Sequence, residues 1–379
     1  MSTTAGHRGG STNTSPASWA DLPDDLLGMV RLRVASTGDR VRLAAVCRRW
    51  HAVPLLLLSP SGRSGEKHLC GPDGGDRVLR VPSKVLNKRI VGSHQGGWIA
   101  ATDGDHTLVI VNLFSGAEVA LSAKLSRIPD NPYPSFQQND LRKIVFSDHP
   151  TSSNGCTLAG LRGDQFTIAL CRVGCSDDGA WSEWSEHGRY EEWISDIAFC
   201  NGELYGLTRC SEMLIKFEIG TKEDGTPVVT TIHKIAIRRS DGPRIDDIMC
   251  SSYIFELNGK ISMAARNRWL PNSEPFFRVF KLADVKDNGF SKHRWKLTSL
   301  GNHALFLGPA LSKAVHVPVG ECHGMEKNHI YYSYCTWSKE HEFPDDGLYS
   351  DNERWGPHVL QGRTKHRRWR ENDRILHNG

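Results

Sequence analysis

Apolar residues follow a helical rhythm only near the start of the chain. In ADLPDDLLGMV, residues Leu26, Leu27 and Val30 form a stripe along one face of a helix. Pro23 falls at the first helical position, where its missing N–H costs nothing. Asp24 and Asp25 follow in the first turn, where the positive end of the helix dipole favours them. The breaker Ser36-Thr37-Gly38 and the N-cap residue Asp39 predict a second helix. On it Leu43, Val46, Cys47 and Trp50 fall at i, i+3, i+4 and i+7, with Arg40, Arg42, Arg48 and Arg49 on the other faces. Two helices of this size, about thirty residues, rarely hold a core alone. Their apolar faces need another surface, from this chain or from a partner.

After Trp50 the pattern changes. PLLLLSPSGRSGEKHLCGPDGGD is rich in Pro, Gly and Ser and reads as a linker over 55–77. From 78 to 350, short apolar stretches are broken by turn residues about every ten positions, the mark of many short strands. Several units share one plan. VGSHQGGWIAATD…TLVIVNLFSGAEVAL predicts a strand, a Gly-Gly turn, a strand containing Trp98 and a strand ending at Asn112. WISDIAFCNGELYGLTRCSEMLIKFEI repeats the plan around Asn201-Gly202, and YIFELNGKISMAAR…PFFRVFKL repeats it around Asn258-Gly259. A fourth unit, CTLAGLRGDQFTIALCRV…WSEW, has Arg162-Gly163-Asp164 at its turn. Asn-Gly between alternating apolar runs is a strong hairpin signal, because a type I′ turn needs positive φ at both central residues. The two Asn-Gly turns stand 57 residues apart, closer to the ~50 of a kelch repeat than to the ~40–45 of a WD repeat. The expected fold is therefore mainly β, a kelch-like β-propeller of about six blades behind a small helical head. A non-repeating pair of β-sandwiches is the alternative.

The helical head resembles an F-box. LPDDLL…VRLAAVCRRWH carries Leu-Pro at the entry, paired leucines one turn on, and a hydrophobic-Val-Cys-basic-basic-Trp run at the end. His51 departs from the pattern, which usually has a basic residue there. In that family the segment docks on the adaptor of a cullin-based ubiquitin ligase. The resemblance implies that Leu22, Pro23, Leu26, Leu27, Val30, Leu43, Val46, Cys47 and Trp50 bind a Skp1-like adaptor and, through it, a cullin. The body resembles the plant KIB-type propeller that typically follows an F-box. The motifs are SHQGGWIAAT, VNLFSGAEVAL, CRVGCSDDGAWSEW, DIAFCNGELYGLT and ALFLGPALSKAVHV…NHIYYS. The implied layout is a disordered N-terminus at 1–18, an F-box at 19–54, the linker, a propeller at 78–350 and a disordered basic tail at 351–379. The implied function is substrate recognition in an SCF-type ubiquitin ligase, with the propeller holding a target protein. Such a subunit performs no chemistry and needs no cofactor; its expected location is the nucleus, the cytoplasm or both.

Charge adds one refinement. Lys plus Arg number 47 against 43 Asp plus Glu, a net charge of +4, which argues against a nucleic-acid or membrane-surface binder with a concentrated basic face. Between Glu353 and Arg374 lie seven basic and three acidic residues, so the tail carries the whole imbalance. Within it, Lys365-His366-Arg367-Arg368-Trp369-Arg370 reads either as a nuclear import cluster or as a solvated extension. The longest apolar run, Ala52 to Leu58, is far shorter than the ~20 residues of a spanning helix. The first eighteen residues have no apolar core, so no secretory signal is expected. Ten cysteines in an unsignalled chain, several inside apolar runs, point to a reducing compartment.

Candidate chemistry is sparse. Cys322-His323, His329 and Cys335 lie near one another in sequence but lack the short paired spacings of a zinc site. Asp246-Asp247 and Asp345-Asp346 are adjacent pairs, which on a strand would face opposite sides. Trp181, Trp184, Trp193, Trp269, Trp295 and Trp337 either line a binding face or fill the gaps between blades, and packing is the expected role for most. No nucleophile elbow, P-loop or dinucleotide fingerprint occurs. The competing readings are a propeller enzyme, an oxidase or hydrolase, and an F-box scaffold acting outside any ligase.

Overall fold

Two Asn-Gly hairpins set the local geometry. Asn201 and Gly202 take φ of 50° and 78°, and Asn258 and Gly259 take 52° and 70°. These are the paired positive angles that a type I′ turn requires. Each turn joins the first two strands of an antiparallel unit. Units of three or four strands, antiparallel except where β19 (His303–Leu307) and β21 (His329–Tyr332) pair in parallel, make up most of the described body of this computed structural model. The described residues are 56–58, 67–70, 76–79, 81–103, 106–129, 141–164, 166–174, 180–185, 193–208, 213–239, 252–267, 276–287, 290–308, 310–317, 326–332 and 356–359. The chain divides between Ala52 and Val53 into two units, and all the described residues lie in the second.

Strands β1 (Leu56–Leu58), β2 (Lys67–Cys70) and β3 (Asp76–Leu79) form one antiparallel sheet. β4 (Arg89–His94), β5 (Trp98–Thr102) and β6 (Leu108–Asn112) form the next. β7 (Leu141–Phe146), β8 (Cys156–Arg162), β9 (Thr167–Val173) and β10 (Ser182–Ser185) form a four-stranded meander. Two further meanders follow. One is β11 (Ile194–Cys200), β12 (Glu203–Thr208), β13 (Met213–Thr221) and β14 (Pro227–Arg239). The other is β15 (Ser252–Leu257), β16 (Lys260–Asn267), β17 (Phe276–Asp287) and β18 (Phe290–Leu297). Their outer strands β14 and β18 pair in parallel, Ile237 opposite His293, so the two become one eight-stranded sheet. The last sheet has the order β20-β19-β21-β22, built from β19 (His303–Leu307), β20 (Ser312–His316), β21 (His329–Tyr332) and β22 (Gly356–Val359).

The architecture is mainly β and propeller-like, with six units of three or four strands among the described residues. Two boundaries differ from the sequence-based expectation. The predicted linker at 55–77 contains β1, β2 and the start of β3, because its apolar runs Leu56–Leu58 and His68–Cys70 pair across the sheet. The predicted tail contains β22, which pairs with β21 from His329↔Val359 to Tyr332↔Gly356. In the linker turn-rich composition outweighed short strands, and in the tail basic charge did. The segment at 19–54, expected to form the two helices of an F-box, and the cluster at 365–370 lie outside the described residues.

The core is a series of layers between successive units. Trp98, Leu108 and Ile110 pack against Leu141, Ile144 and Leu158. Leu161, Ile168 and Leu170 pack against Ile194, Leu204 and Phe217. Leu207 and Leu214 meet Ile254, Met263 and Trp295, and Phe255 and Val279 meet Leu305 and Ile330. A strand between two layers is covered on both faces, so β5 is buried throughout, as β9 is except at Arg172. Tryptophans serve this packing. Trp295 is fully buried, Trp184 meets Phe217 edge-on at 5.0 Å, and Trp181 donates from Nε1 to the Leu125 carbonyl.

Candidate functional site

The inner edges of successive units bring the polar groups together. β4 packs beside β7, β7 beside β11, β11 beside β15, and β15 beside β20. Three of these strands carry an extra residue near their start: the register shifts between Ile90 and Gly92, between Leu141 and Lys143, and between Ile194 and Asp196. Such bulges bend a strand and re-aim the next side chain. The residue after each bulge makes the contact to the neighbouring unit. At Gly92 a β-carbon would lie 2.4 Å from the Ile144 carbonyl oxygen, so only glycine allows β4 to approach β7 this closely. Lys143 meets Asp196, Nζ to Oδ1 at 2.6 Å, with side chains 3% and 6% exposed. The Asp196 carboxylate also accepts the backbone N–H groups of Ile197 and Ile254, each at 2.9 Å. One carboxylate thereby joins β7, β11 and β15.

At the other end of the same strands the surface is aromatic and mixed in charge. His94 closes β4 and lies 5.6 Å from the Phe146 ring and 5.8 Å from the His149 ring; Trp98 meets His149 edge-on at 5.7 Å. Burial first, then the charges of Lys313 and His149, lower the His94 pKa to about 4, against a raising contribution from Asp148. His94 is therefore neutral at pH 7. Burial likewise lowers Lys313, on β20, to about 8, while Glu256 on β15 opposes the shift. Asp148 is held below the usual carboxylate range by the His149 backbone N–H and the Ser152 side chain. The Asn201 side chain bridges adjacent hairpins, donating from Nδ2 to the Gly259 carbonyl at 2.8 Å.

These groups suit recognition. They offer two partly exposed histidine rings, that of His94 neutral, backed by the buried Trp98 and Phe146, and charges of both signs. Thiol chemistry is suppressed at Cys156, Cys171 and Cys200, all buried: burial raises each thiol, that of Cys200 to about 11 with help from Glu256 and Glu203. Among the described residues no group of three or more His, Cys, Asp or Glu side chains is arranged to hold a metal.

Of the residues singled out from sequence, Leu22, Pro23, Leu26, Leu27, Val30, Leu43, Val46, Cys47 and Trp50 lie outside the described residues. So do Cys322, His323, Cys335, both aspartate pairs, Trp269 and Trp337. His329 sits on β21, where its ring pairs with Glu326 and the Lys327 carbonyl. Trp193 meets Phe166 edge-on at 5.1 Å. His94, Lys143, Asp196, Glu256 and Lys313 were missed. All but Lys143 lie inside motifs noted above, but as parts of strand patterns, and their pairing gave no local signal, since Lys143 and Asp196 are 53 residues apart.

Comparison with known proteins places this geometry. Over 349 residues the chain is 22% identical to the Arabidopsis thaliana protein named "Probable F-box protein At4g22165", covering 85% of each chain. It is 24% identical over 151 residues to the Arabidopsis thaliana F-box protein At2g14290, covering 36% of this chain and 41% of that one. Among solved structures, YCF48 from Cyanidioschyzon merolae matches with a TM-score of 0.34 and 8% identity, over 71% of this chain and 72% of that one, a likeness too loose to carry function. The family model described as the KIB1-4 beta-propeller matches residues 72–358. That span starts ahead of β3 and ends within β22, so the chain belongs to the KIB1-4 beta-propeller family.

Proposed function

We propose that this protein is a substrate-recognition subunit of an SCF-type ubiquitin ligase, in which the head binds a Skp1-like adaptor and the propeller holds a target protein. The observation that carries the reading is the order of the chain: LPDDLL…VRLAAVCRRWH precedes a KIB1-4 propeller. Relatives named F-box proteins support it. The mechanism is proximity. A receptor that holds a target beside a conjugating enzyme raises its effective concentration, as linked binding modules do. The subunit itself is non-catalytic and acts in the nucleus, the cytoplasm or both. The surface carrying His94, His149, Glu256 and Lys313 is the one to which we assign target contact.

The test is purification of the tagged full-length chain from plant cells, with the captured proteins identified. Recovery of an adaptor together with a cullin supports the ligase reading. Adaptor without cullin indicates a scaffold, and turnover of a small substrate with neither protein indicates a propeller enzyme.

A further inference from the structure

We infer that the unit built from β15 to β18 carries a binding site for a phosphomonoester. A cleft of about 220 Å³ opens there, lined by Leu257, Asn258, Lys260, Ser262, Lys281, Thr298 and Ser299. The strand pairing explains the lining. Lys260 and Ser262 are two apart on β16 and share a face; Lys281 of β17 stands directly opposite Ser262, and Leu257 opposite Lys260. Glu256 is carried to the other side of β15, where it reaches the Asn201 backbone N–H.

The cleft is lined by two ammonium groups, three hydroxyls and an amide, and by no carboxylate. Among the described residues neither lysine has an ion-pair partner. Ser262 is completely buried, its hydroxyl on the Lys260 carbonyl at 3.4 Å, so the polar groups open to a ligand are those of Lys260, Lys281, Asn258, Thr298 and Ser299. Two point charges match the nearly double charge of a phosphoryl group at neutral pH, and the hydroxyls and amide can donate to its oxygens. A carboxylate would leave one ammonium and several donors unmatched. The inference stands apart from the adaptor reading, because it concerns only the propeller.

The experiment titrates the full-length chain by calorimetry at fixed ionic strength with inorganic phosphate, a phosphoserine peptide and its unphosphorylated twin. The parent is expected to bind phosphate. Lys260→Ala and Lys281→Ala should each weaken binding about five-fold, which is about 1 kcal/mol, and the double variant should abolish it. Thr298→Val should weaken binding with no change in charge. Lys222→Ala, which removes an exposed lysine elsewhere, should leave it unchanged, and thermal unfolding checks that every variant is folded. Tighter binding of the phosphopeptide than of phosphate assigns the phosphoryl group to a protein side chain; equal binding assigns a free anion, and both support the site. The inference is overturned if the parent binds no phosphate, or if Lys222→Ala weakens binding as much as Lys281→Ala.

Discussion

Lys143 of β7 and Asp196 of β11 form an ion pair at 2.6 Å that is almost wholly shielded from water. Its carboxylate also receives Ile254 of β15, so three consecutive units share one acceptor. Breaking a buried pair by removing one partner typically costs ~3–5 kcal/mol, because the other charge is left uncompensated. Lys143→Met should therefore destabilise the propeller by about 3 kcal/mol, at the lower end because Asp196 keeps its two backbone donors. The double change Lys143→Met with Asp196→Asn should recover part of that loss. Chemical denaturation of the three variants measures it; a Lys143→Met midpoint equal to the parent's would show that the pair contributes nothing.

Gly92 is predicted to be intolerant of even a methyl group. A β-carbon there would stand 2.4 Å from the Ile144 carbonyl oxygen and force β4 away from β7. Overpacking of this kind costs ~1–3 kcal/mol. Gly92→Ala should lower the melting temperature, whereas Gly202→Ala, where a β-carbon meets nothing within 4 Å, should suffer only from its φ of 78°.

The two Asn-Gly hairpins should respond unequally. Asn201→Ala and Asn258→Ala each put at a positive φ a residue that lacks the short polar side chain by which asparagine tolerates that region. Asn201→Ala also removes the bond to the Gly259 carbonyl. It should be the more destabilising by about 1 kcal/mol. Equal losses in urea titrations would mean that the bridge between hairpins adds no stability.

Stability should fall on mild acidification. The folded pKa of His94 is about 4 against an ordinary 6.5, so between these values the unfolded chain binds the extra proton. The His94 contribution is complete above pH 6.5 and is lost as pH falls from 6.5 toward 4. The groups facing it are Lys313, His149 and Asp148. Replacing His94 with Gln should flatten the dependence of melting temperature on pH across that window. An unchanged slope would assign the acid sensitivity to other groups.

The adaptor reading makes its own quantitative claim. Trp50→Ala should weaken adaptor binding about thirty-fold, since interface aromatics commonly carry ~2 kcal/mol or more. Leu26→Ala with Leu27→Ala should weaken it at least as much, while Arg31→Ala should matter little. The propeller should melt at the same temperature in all of these variants. Binding at parental strength by the Trp50 variant, or loss of the propeller transition with it, would assign the head to packing within the chain.

Local rules made the hairpins legible. Asn201-Gly202 and Asn258-Gly259 need positive φ whatever surrounds them, so the dipeptides mark type I′ turns before any tertiary contact exists. The apolar runs around Cys171 and Cys200 likewise marked buried strands. Composition misled at the two ends: Gly, Pro and Ser residues hid β1 and β2, and the basic charge around it hid β22, strands whose pairing depends on partners rather than on period.

The sequence by itself determined a mainly β chain of repeated hairpin units, because turns and periodicity act over a few residues. Only the tertiary structure decided which polar groups meet. The bulges that aim Lys143 at Asp196, the approach of Lys313 to His94 and the parallel joining of β14 to β18 all link residues far apart in the chain. Such contacts arise where separate units pack edge to edge, and no short-range pattern encodes that alignment.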